Sequence, residues 1–72
     1  MDMRKLVGRN VKKFRLAKGL TQEELAIKAG FPQQYISGLE RGLRNPTIIS
    51  VYEIAQALGV SHLDLLRSKI SK

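Results

Sequence analysis

The chain predicts an all-α fold of five helices. Apolar residues recur at spacings of three and four over most of its length, and capping patterns and glycine stops separate the periodic segments. No stretch alternates apolar and polar residues as a half-buried strand would. With 72 residues there is room for one small domain, residues 1–72, whose surface-to-volume ratio leaves burial only marginally sufficient. The sequence has no cysteine, so neither a disulfide nor a Cys-ligated zinc site supplements the core. Helix packing, alone or with a partner, has to hold it.

Leu6, Val7, Val11 and Phe14 mark one face of a first helix that ends near Gly19, while Arg4, Lys5, Arg9, Lys12, Lys13 and Lys18 take mostly the other positions. Its apolar stripe is expected to cover the second and fourth helices. Thr21 and Glu24 form an S/T-x-x-E capping box, in which the hydroxyl accepts from a backbone N–H and the carboxylate reaches back. A second helix therefore runs from about Gln22 to Ala29, with Leu25, Ala26 and Ala29 inward and Gly30 as a left-handed stop. Pro32 suits a first helical position because its fixed φ fits there and its missing N–H would be unpaired anyway. A third helix from Pro32 to Arg41 follows, stopped by Gly42.

The segment "LRNPT" is a turn-rich connector, after which Ile48, Val51, Ile54, Ala55 and Leu58 give a fourth helix closed by Gly59. Ser61 and Asp64 repeat the capping box ahead of Leu63, Leu65 and Leu66, giving a short fifth helix and a polar tail, about 68–72, expected to fray.

Thirteen Lys and Arg against six Asp and Glu give a net charge of +7 and a pI near 10.3, which suits a polyanionic partner but also suits a merely well-solvated surface. No apolar run approaches the ~18 residues of a membrane span, and the N-terminus lacks a signal-peptide pattern. A soluble, cytoplasmic protein is expected. His62 is the only histidine, which argues against a metal site, and no serine or carboxylate has a histidine near it in sequence. No enzyme activity, cofactor or small-molecule ligand is therefore expected. The basic first helix is not expected on a membrane surface, since its stripe is needed inside.

A three- or four-residue joint containing a glycine links the second and third helices, the geometry of a helix-turn-helix over about residues 21–41. Spacing alone leaves two readings open, an ordinary corner of a helical bundle or a DNA-reading corner. Residue types favour the second. Ile36 and Leu39 would face inward, whereas Gln33, Ser37 and Arg41, with Gln34 beside them, form an outer row able to reach bases or phosphates. A glutamine amide donates and accepts in one plane, matching N6 and N7 of adenine, and Ser and Arg commonly bond phosphate or guanine.

The motifs "LTQEELA", "YISGLERG" and "IAQALGV", in this order and spacing, resemble the phage repressor and Cro-type helix-turn-helix family of bacterial transcriptional regulators over about Leu6 to Leu66. The resemblance implies a compact, lambda-repressor-like bundle of five helices that binds double-stranded operator DNA as a homodimer, with the third helix in the major groove. It implies base reading by Gln33 and Gln34, joined by Ser37, and phosphate contacts by Gln22, Tyr35, Arg41, Arg44, Asn45 and Thr47. Tyr35 has an alternative, its ring packed on the first helix with only the hydroxyl showing. Arg15 and Glu40 match a partly buried ion pair of the family and are expected to serve the fold.

In this reading the protein regulates by occupying its site, as a repressor or an activator. Val60, Leu63, Leu66 and Ile70 offer a dimer surface, although the same leucines would also close the core. The alternative from another class is a protein-interaction or antitoxin-like accessory module on the same fold; an RNA-binding role lacks an aromatic stacking platform.

Two residues depart from the family pattern. Pro32 stands where many members have a Ser or Thr cap, leaving the first amides of the third helix without a side-chain oxygen. Gly38 stands where members often carry a long polar reader. Either the helix backbone approaches the DNA closely there, or a neighbouring helix needs the space.

Overall fold

A computed structural model describes residues 2–68. Five helices follow one another: α1 (Met3–Ala17), α2 (Gln22–Ala29), α3 (Gln33–Glu40), α4 (Ile48–Leu58) and α5 (His62–Leu66), and no strand occurs among the described residues. Side-chain caps set the starts of α1, α2, α4 and α5. Asp2 accepts from the Arg4 amide at 3.0 Å, and Thr21 and Glu24 close the capping box of α2 with bonds of 3.0 and 2.8 Å. The second box, Ser61 with Asp64, opens α5.

The core is built from Val7 and Val11 of α1, Leu25 and Ala26 of α2, Ile36 and Leu39 of α3, Val51, Ile54, Ala55 and Leu58 of α4, and Leu65 of α5. Every helix contributes, and the Cα radius of gyration, 10.8 Å, equals the ~11 Å of a compact domain of this length. Helix α1 packs chiefly on α3 and α5, and α2 lies between α3 and α4. The stripe of α1 thus covers the third and fifth helices more than the second and fourth, because α3 approaches it very closely. Gly8 permits this: a methyl group at residue 8 would stand 2.3 Å from the carbonyl oxygen of Leu39 and 2.9 Å from that of Glu40.

One apolar expectation is corrected. Ile48, counted in the inner stripe of the fourth helix, is 61% exposed, since it is the first residue of α4 and precedes the turn that meets the core. Val60 and Leu66, offered for a dimer surface, are partly buried against the core. Leu63 does remain 55% exposed, and Ile70 lies outside the described residues.

Candidate nucleic-acid interface

The turn between α2 and α3 is fixed by backbone geometry. Gly30 adopts the left-handed conformation, φ 81°, which an L side chain rarely tolerates. The amides of Gly30 and Phe31 both donate to the Ala26 carbonyl, at 2.8 and 3.0 Å. Pro32, with ψ 149°, is the cap of α3 and lies just outside it, so the helix begins one residue later than its sequence suggests. No side chain caps α3, which leaves its first amides facing outward.

Gln33 and Gln34 occupy this uncapped first turn and are exposed. Gln33 lines an open hollow together with Gln22 of α2, so the structure brings these two amides to one place. Ser37 is half-buried one turn on, and Arg41 is exposed at the end of the helix. There Gly42, φ 77°, turns the chain, and the Leu43 amide donates back to the Gly38 carbonyl at 2.9 Å.

Tyr35 is half-buried, packed against the core. Its ring stacks on Phe31, 4.7 Å between centroids and 16° from parallel, and Arg44 sits 5.6 Å from the ring centroid on the cation–π side of the pair. The i, i+4 spacing of two aromatics across the turn is the sequence signal for this stack, which the sequence reading passed over. Arg44 and Asn45 are exposed in the connector, and no carboxylate of the described residues pairs with Arg41 or Arg44. Thr47 has a local partner: its hydroxyl accepts from the Ser50 amide at 3.0 Å and caps α4.

Beneath this face lies a polar lock. Arg15 of α1 donates from Nε to Glu40 Oε2 at 2.6 Å, from a terminal nitrogen to Oε1 at 3.0 Å, and from the other to the Leu20 carbonyl at 2.8 Å. Gln22 Nε2 donates to the same Glu40 oxygen at 3.1 Å, so one carboxylate joins α1, α2 and α3. One N–H of the Gln22 amide is thereby committed to the protein, which leaves its second N–H and its oxygen. Bidentate pairing of this kind fixes orientation as well as charge.

A helix-turn-helix family model matches residues 11–65. The chain belongs to the Cro/C1-type helix-turn-helix family. It is 65% identical over 66 residues to the uncharacterized HTH-type transcriptional regulator y4dJ of Sinorhizobium fredii, covering 92% of this chain and 86% of that one. The crystal structure of the hypothetical transcription factor NHTF from Neisseria superposes with a TM-score of 0.90 at 37% identity, covering 93% of this chain and 77% of that one. The controller protein C.Esp1396I, solved as a tetramer in complex with its natural 35-base-pair operator, matches with a TM-score of 0.82 at 43% identity, covering 90% and 86% of the two chains. These relatives are transcription factors and restriction-modification controllers, and the chain shares their fold and class as a transcriptional regulator. Among the described residues no helix is long and apolar enough to cross a membrane.

Proposed function

We propose that the protein occupies a roughly palindromic DNA operator in the cytoplasm as a homodimer, with α3 of each copy in the major groove. One observation carries the reading: α3 presents exposed Gln33, Gln34 and Arg41, with Arg44 alongside, as donors without carboxylate partners in a chain of net charge +7. Gln33 and Gln34 read base edges, assisted by Ser37. Arg41, Arg44 and Asn45 hold the sugar-phosphate backbone, joined by the second amide N–H of Gln22 and the hydroxyl of Tyr35; Thr47 joins them by turning its hydroxyl proton from Ser50 Oγ, 3.0 Å away, to a phosphate oxygen. The uncapped amides of α3 add a favourable site for a phosphate oxygen.

The operator complex of C.Esp1396I supports assembly on DNA by a protein of this fold. For two copies to enter successive major grooves, their third helices must lie ~34 Å apart. Leu63 of α5, 55% exposed, and Tyr52 of α4, 49% exposed, supply apolar surface for that pairing.

Selection of bound sequences from a random duplex pool tests the proposal. A recovered inverted repeat with half-sites one helical turn apart is the expected result, with log K falling by ~0.9 per phosphate neutralised as salt rises. Replacing Gln33 and Gln34 together with alanine should erase preference among sequences and leave much of the non-specific affinity. An unenriched pool would overturn DNA recognition, and an unchanged preference in the double variant would overturn the role of α3.

A further inference from the structure

Gly38 lies in the middle of α3, yet its φ is not among the positive values, so no backbone conformation demands glycine there. Helix propensity argues against it as well, since glycine is the least favourable helix-interior residue other than proline. What the position lacks is a side chain, and the space is filled. A methyl group at residue 38 would stand 3.0 Å from Arg44 Nε, 3.2 Å from its Cγ and 3.5 Å from its Cδ. The stem of Arg44 therefore lies in the notch that the glycine leaves, and its guanidinium ends 5.6 Å from the Tyr35 ring, itself stacked on Phe31. Gly38 is one turn from both Gln34 and Tyr35, so the notch lies toward the outer face of the helix, and Gly38 is buried with Arg44 nearest to it.

We infer that Gly38 is a positioning residue for Arg44: the vacant side-chain position is a slot that brings an arginine from the connector across the recognition helix and holds it ready for DNA. The inference rests on the proposed DNA-binding role of α3. It assigns to Arg44 the place beside Gln34 that a side chain at residue 38 would otherwise take. In an exposed connector a free arginine samples many rotamers and loses that freedom on binding; one already laid in a slot and against a ring loses less. The obstruction to a larger residue at 38 is a flexible arginine and not backbone, so Gly38→Ala is relieved by Arg44 swinging away and the fold survives.

The test is a double-mutant cycle of Gly38→Ala and Arg44→Ala, measured on the duplex recovered by selection, with thermal melting and proton NMR of the free proteins. Gly38→Ala should melt no lower than wild type, lose the contacts between the Arg44 side chain and the Tyr35 ring, and bind about three- to tenfold more weakly. In the Arg44→Ala background the same change should have no effect on affinity. An equal loss in both backgrounds would mean that the DNA meets Gly38 itself, and the inference would fail. It would fail equally if Gly38→Ala kept wild-type affinity or kept the Arg44–Tyr35 contacts. Should no duplex bind the wild-type protein, the DNA-binding role is the part that falls, while the NMR contacts still decide whether Gly38 sets the path of Arg44.

Discussion

The inward and outward sides of α3 differ in how their polar groups are partnered. Inward, Glu40 is shared by Arg15 and Gln22, Arg15 also holds the Leu20 carbonyl, and no buried side-chain nitrogen or oxygen of the described residues lacks a partner. Outward, Gln33, Gln34 and Arg41 are exposed, and the arginine has no carboxylate beside it. Buried polar groups are costly unless satisfied, whereas exposed donors remain free to exchange water for a ligand. One helix of eight residues thus carries both a buried, fully partnered carboxylate, Glu40, and exposed amides, Gln33 and Gln34. The prediction that follows is separability: substitutions on the inner side should change stability, and those on the outer side should change binding.

The largest effect is expected from Glu40→Ala, which leaves the Arg15 guanidinium, only 7% exposed, without its carboxylate. A loss of about 3 kcal/mol follows, read as a fall of at least ~10 °C in the melting temperature. An unchanged melting temperature would show that the lock does not hold the helices. Gly8→Ala comes next. Here the obstruction is the backbone of α3, 2.3 Å from the added methyl, so α1 and α3 must separate. Overpacking of this kind costs 1–3 kcal/mol, against a helix-propensity gain of ~1 kcal/mol, and chemical denaturation should register a net loss of about 1 kcal/mol. The smallest effect on the fold belongs to Arg41→Ala, within about 0.5 kcal/mol of wild type by denaturation. Its affinity should weaken similarly for all sequences, with the slope of log K against log salt reduced by about 1. If Arg41→Ala destabilised the fold as Glu40→Ala does, the two sides would not be separable.

Much of this was legible in the sequence because it is local. Both capping boxes and the Gly30 stop use bonds between residues at most five apart, and the spacing of Val51, Ile54, Ala55 and Leu58 states which side of α4 is inner. The start of α3 was misplaced by one residue because a proline φ suits both cap and first turn, and only ψ separates them. Thr47 looked like a connector residue, since a threonine three before a serine is a weaker cap signal than one three before a glutamate. What stayed hidden is the meeting of distant parts. Periodicity says that α1 has an inner stripe and not which helices it meets, and nothing in the spacing of Gly38 and Arg44 tells the path of an irregular connector.

A single amide joins the two ends of the described chain. The Asn10 Nδ2 group of α1 donates to the carbonyls of both Leu65 and Arg67, each at 2.9 Å, where α5 runs out of its own partners. At five residues α5 is far below the length at which a helix persists unaided. Its ordered lifetime is therefore that of its attachment to α1 and α4, and the three should open and close as one cooperative unit. Amide protons of α5 would then exchange with solvent only when its seat on these two helices gives way, which makes the last helix a reporter on both.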